Sequence, residues 1–112
     1  MPVRVAITGI GVVSTFGVGR ETFWHNVRCG VSGTRAITEF DASSYSCRVA
    51  AAVPPFRLDT NGNGHGDPKR YSRAALFGVV AAREAWCDAG LRAGEPRAGV
   101  LIGSGGGGID IG

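Results

Sequence analysis

The sequence predicts an α/β fold, and three observations carry that expectation. Residues 3–8 alternate and are rich in β-branched side chains, residues 67–89 form a long apolar helix pattern, and residues 98–102 are a continuous apolar run. A shorter helix and one more strand lie between the first two. The resulting order of strand, helix, strand, helix, strand calls for a parallel or mixed sheet covered by helices. At 112 residues the chain has room for one domain.

In chain order, Val3-Arg-Val-Ala-Ile-Thr8 reads as a strand entering a core, and Gly9-Ile-Gly11 ends it. Residues 20–29 place Phe23, Trp24 and Val27 on one helical face, with Gly30 where a left-handed cap is wanted. A second strand is expected at residues 48–53, stopped by Pro54-Pro55, which cannot donate to a ladder. The polar stretch 57–66, with Asn61-Gly-Asn-Gly-His-Gly66, reads as a loop and the natural place for an insertion. Asp67 and Pro68 have the chemistry of a helix cap and first turn, so the second helix is expected to run from Asp67 to about Ala89, closed by Gly90. Its middle, residues 74–82, is apolar nearly all round, which suits a helix buried between layers. The third strand, residues 98–102, suits a sheet covered on both faces, and the glycine run 103–108 follows at once. A natural carboxyl terminus rarely falls just past such a run, so truncation after Gly112 is expected.

Composition narrows the function. The net charge is +3, from eleven arginines and Lys69 against nine acidic residues, and the arginines are scattered. A nucleic-acid footprint would be a basic stripe with interleaved aromatics, which argues against that partner. Lys69, Arg70 and Arg73 are close enough in sequence to help form a surface for an acidic protein partner. No apolar run approaches the roughly 20 residues needed to span a bilayer. Cys29, Cys47 and Cys87 have no paired spacing and no secretory signal ahead of them, so a reduced, cytoplasmic chain is expected.

The nineteen glycines are clustered, not periodic. Gly9-Ile-Gly11-Val-Val-Ser14 follows a strand and comes one residue short of the dinucleotide fingerprint. An acidic residue to hold a ribose is missing at the right distance, since Glu39 and Asp41 come too late. Residues 103–108 could cradle an anion with successive amides but lack the Gly-Lys-Ser/Thr of a P-loop. The plainer reading of those glycines is a tight turn beside another chain or a ligand.

Five segments in order resemble the β-ketoacyl-acyl carrier protein synthases of the elongating type, including the ketosynthases of polyketide pathways. They are Val5-Ala-Ile-Thr-Gly-Ile-Gly-Val-Val-Ser14, Gly30-Val-Ser-Gly33, Glu39-Phe-Asp-Ala-Ser-Ser-Tyr45, residues 73–91 ending in Ala85-Trp-Cys-Asp-Ala-Gly-Leu91, and Gly99-Val-Leu-Ile-Gly-Ser-Gly105. The resemblance implies a thiolase-like fold of stacked αβαβα layers. Residues 1–112 would be the amino-terminal part of its first half.

It also implies a decarboxylative condensation of an acyl thioester with malonyl-acyl carrier protein, run by a thiolate and groups that stabilise developing negative charge. No cofactor or metal is implied. The expected partners are acyl carrier protein, the acyl and malonyl thioesters, and a second subunit, identical or related. The family's catalytic cysteine sits at the start of a buried helix in a Thr-Ala-Cys context that none of Cys29, Cys47 and Cys87 shares. His25 and His65 likewise match no family histidine motif. No catalytic residue is therefore expected within the chain, and the isolated stretch is expected to be inactive and poorly folded.

Two departures from the family pattern carry chemistry. The position after Gly-Ser-Gly commonly holds a bulky apolar gate over the acyl pocket; here it is Gly106, which points to a long, branched or bulky acyl chain unless the glycine run has merely shifted. Tyr71-Ser72-Arg73 stands where many relatives carry Met-Asp-Arg, which removes the capping or pairing role of that Asp at Ser72. Two other readings stay open: a non-catalytic chain-length-factor-like subunit, and a dinucleotide-binding oxidoreductase domain resting on Gly9 and Gly11.

Overall fold

Every backbone N–H and C=O needs a partner, and where this chain finds them decides which expected elements form. The computed structural model describes residues 1–57 and 71–107. Their elements are β1 (Val13–Ser14), β2 (Gly17–Val18), α1 (Arg20–Arg28), β3 (Arg35–Ala36), β4 (Val49–Ala50) and α2 (Arg73–Asp88).

The strands expected at residues 3–8 and 98–102 do not form a ladder. A strand exists only through the strand beside it, and among the described residues neither segment has one. Their side chains stay in water: Val3 is 90% exposed, Ile7 83% and Leu101 99%. The ladders that do form are two short antiparallel pairs, β1 with β2 and β3 with β4, in place of the expected parallel or mixed sheet. In the first, Val13 faces Val18 and Ser14 faces Gly17, and the Gly19 N–H extends the pairing to the Val12 carbonyl at 2.9 Å. In the second, Arg35 faces Ala50, so β4 keeps only two of the six residues expected at 48–53.

Both helices end as their glycines require. Gly30 (φ 67°) and Gly90 (φ 68°) take the left-handed conformation. Gly30 N–H reaches the Val27 carbonyl and Val31 N–H the Asn26 carbonyl; Gly90 and Leu91 repeat the pattern on Cys87 and Trp86. Each is a Schellman closure, which satisfies carbonyls that the helix leaves open.

The start of α2 corrects the sequence reading twice. Asp67 and Pro68 lie outside the described residues, as does the loop 61–66, and α2 begins at Arg73. Its cap is Ser72, whose ψ of 155° breaks the helical path and whose Oγ accepts the Ala75 N–H at 3.1 Å. The capping role is therefore kept at Ser72, because a serine hydroxyl accepts that amide as an aspartate carboxylate would.

No residue of α2 is buried, although a helix covered on both sides was expected. Residues 9–12, the segment around Phe56 and the turn at Gly107 all touch α2, yet together the described residues leave every side chain of the helix partly open to water. Ala42 and Ser72 alone among them are buried. The radius of gyration, 17.0 Å, exceeds the roughly 13 Å of a compact domain of this length.

Candidate functional site

Among the described residues the first glycine motif packs directly against the backbone of α2. A Cβ built on Gly9 would overlap the Ala85 carbonyl oxygen, and one on Gly11 the Ala81 carbonyl oxygen. Only glycine lets this backbone lie against the helix backbone. Because Ala81 and Ala85 are one turn apart, Glu84 and Asp88 come onto the same side. The Ile10 N–H donates to Asp88 Oδ2 at 3.1 Å and the Val12 N–H to Glu84 Oε2 at 2.8 Å. Glu84 Oε1 accepts the Arg20 N–H at 2.8 Å, and the Arg20 guanidinium meets Asp88 Oδ1 at 2.9 Å. Two carboxylates thus fasten the glycine segment and the start of α1 to α2. This matters because Gly19, the residue that caps α1, has no side chain to offer its first amides.

This arrangement is incompatible with a dinucleotide site on Gly9 and Gly11. The amides of Ile10, Val12 and Arg20, which would have to face a pyrophosphate, already face carboxylates. An anion there would be repelled by Glu84 and Asp88. The chain after Gly11 also turns into the β1–β2 hairpin, whereas the fingerprint opens a helix at once. Sequence reasoning missed Glu84 and Asp88; the available signal was two acids spaced i, i+4 on a largely apolar helix.

In the second glycine run Gly107 lies close to two side chains of this chain, those of Ala74 and Ser104. A Cβ there would meet the Ala74 Cβ at 2.6 Å, and the Gly107 N–H donates to Ser104 Oγ at 2.9 Å. Ser104 therefore draws the run into a turn over the first turn of α2. Gly106 lies exposed in that bend. Gly108 is outside the described residues.

One thiol, that of Cys29, meets the described imidazole, and the other two stand apart from it. Cys29, Cys47 and Cys87 are all exposed and free, so none is a packed core thiol. Cys29 caps the C-terminal end of α1, with its Sγ 3.9 Å from His25 Nε2 on the same helix. Cys87 lies in the last turn of α2. Both stand at carbonyl-rich helix ends, opposite to where a thiolate gains from amides. His65 is outside the described residues. Among the described residues no three His, Cys, Asp or Glu side chains group as metal ligands, and no helix is long and apolar enough to cross a membrane.

Of the basic cluster, Arg73 is described; Lys69 and Arg70 are not. Arg73 donates to the Val53 carbonyl at 3.0 Å and lies 5.4 Å from the centroid of Phe77, which packs against Phe56 at 5.7 Å. It thereby pins the Pro54-Pro55-Phe56 segment to the beginning of α2. On the β3–β4 arm, the Ser43 backbone N–H at 2.9 Å holds the Asp41 carboxyl below its usual value. Glu39 is lowered first by the Thr38 N–H, with Arg35 at 3.2 Å adding to the effect.

Comparison with known proteins places this geometry. Residues 3–110 match the family model described as Beta-ketoacyl synthase, N-terminal domain. The chain is 42% identical over 113 residues to 3-oxoacyl-[acyl-carrier-protein] synthase 2 of Coxiella burnetii, covering 95% of this chain and 26% of that one. It is 40% identical over 114 residues to the synthase of the same name from Staphylococcus aureus, covering 96% and 27%. Among solved structures, one titled the ishigamide ketosynthase/chain length factor matches with a TM-score of 0.64 and 38% identity, over 77% of this chain and 21% of that one. The chain thus spans about a quarter of the length of the curated relatives it matches. The fold is α/β and thiolase-like, present here in part.

Proposed function

The chain belongs to the β-ketoacyl synthase family, and on that premise we propose that the protein containing it is a condensing acyltransferase of fatty-acid or polyketide synthesis. The observation carrying this reading is identity of about 40% along nearly the whole chain to a bacterial 3-oxoacyl-[acyl-carrier-protein] synthase. In the proposed reaction an acyl group moves from a thioester to an enzyme cysteine with release of the first thiol. Malonyl-acyl carrier protein then loses carbon dioxide, and the carbanion so formed attacks the acyl-enzyme and expels the thiolate. Donors aimed at the developing oxyanion stabilise that step.

None of these groups is assigned to residues 1–112. Their proposed part is the scaffold: the Gly9–Gly11 junction sets α2, and α2 carries the Ser104–Gly107 turn. Alone they are inactive. In this reading the rest of the fold provides the missing strands beside residues 3–8 and 98–102 and the remaining cover of α2. The protein is cytoplasmic, takes its substrates from acyl carrier protein and works as a dimer. Gly106, in place of a bulky gate, leaves space for a long or branched acyl chain.

A second reading is favoured by one observation, the likeness to a structure whose title names both a ketosynthase and a chain length factor. There the protein keeps the fold, lacks the nucleophile and serves as partner to an active synthase.

The test is to express the full open reading frame and incubate it with an acyl thioester and malonyl-acyl carrier protein. Formation of 3-ketoacyl-acyl carrier protein with equimolar carbon dioxide, abolished by alkylating a single cysteine, is expected. No product from the protein alone, but restored product when a related synthase subunit is added, would replace the first reading with the second.

A further inference from the structure

We draw no further inference here: the strongest candidate, the apolar groove of about 330 Å³ between the glycine segment and α1, lined by Ile10, Val12, Phe23 and Trp24, is an open face, and nothing in the structure shows what covers it.

Discussion

Gly11 lies against Ala81 so closely that a single added carbon would overlap the Ala81 carbonyl oxygen. That oxygen belongs to helix backbone and cannot swing aside as a side chain can. Gly11→Ala is therefore expected to destabilise the protein by at least the upper end of the roughly 1–3 kcal/mol typical of overpacking. Urea denaturation reads this directly. A midpoint equal to that of the unsubstituted protein would mean that the two backbones are farther apart than described.

Glu84 offers a complementary test, because one side chain holds two amides from separate segments. Glu84→Ala should cost on the order of 2–3 kcal/mol, the range for hydrogen bonds to a charged group in a partly solvated place. Glu84→Gln keeps one acceptor oxygen and should lose less. Hydrogen exchange gives the specific signature: faster exchange at Val12 and Arg20, with the rest of α2 unchanged. Unaltered protection at both amides would remove Glu84 from its fastening role.

Ser72 caps α2 through a single hydrogen bond. Ser72→Ala should lower stability by about 1 kcal/mol, whereas Ser72→Asp, which keeps an acceptor at the same place, should hold it near the original value. Thermal melts of the pair separate capping from simple burial of a small side chain. Equal losses in both variants would point to packing.

The β3–β4 arm contributes a pH dependence of its own. Asp41 and Glu39 are depressed below their ordinary values of 3.8 and 4.5 in the folded chain. Their contribution is therefore complete above those values and is lost as the pH falls through the lower folded ones. Carbon-detected NMR titration should give both midpoints below those of the urea-unfolded chain. Asp41→Asn should remove the titration at position 41 and leave the shift of Glu39 in place. Coincident folded and unfolded midpoints would exclude the Ser43 and Thr38 amides as partners.

For the proposed acyl pocket, Gly106→Phe in the full-length protein restores the bulk expected of a gate. Long acyl primers should lose kcat/KM by at least about tenfold, since pocket volume discriminates by roughly 10–200-fold per methylene, while a two-carbon primer is little affected. Product chain length, read by mass spectrometry, should shorten. Equal losses for short and long primers would assign Gly106 to the turn and not to the pocket.

How much of this was legible beforehand depends on the range of each interaction. Gly30 and Gly90 were readable as caps because a left-handed helix end demands glycine within a few residues. The apolar patterns at 3–8 and 98–102 were readable too, but a pattern reports a face seeking burial and says nothing of whether a partner strand is present. Ser72 was passed over for two reasons: it replaces the Asp of many relatives, although a serine hydroxyl caps as well, and Asp67-Pro68 gave a stronger local signal. The β1–β2 hairpin has strands of two residues, too short for any alternation to show. The contacts of Glu84 with Val12 and of Asp88 with Ile10 bridge more than seventy residues of sequence, a distance across which spacing carries no information. Gly106 was singled out by family resemblance alone, as nothing in its local chemistry marks it.

The bare apolar run of Val100, Leu101 and Ile102 has a consequence for the time before folding is complete. In relatives four times this length, synthesis at roughly 5–20 residues per second leaves on the order of half a minute between this run emerging from the ribosome and the last residue being added. Throughout that interval the run and the opening segment around Val5 stand as two unfilled edges, each able to pair with a neighbouring nascent chain. In a chain of that length these two segments are therefore where a holding chaperone has reason to grip early.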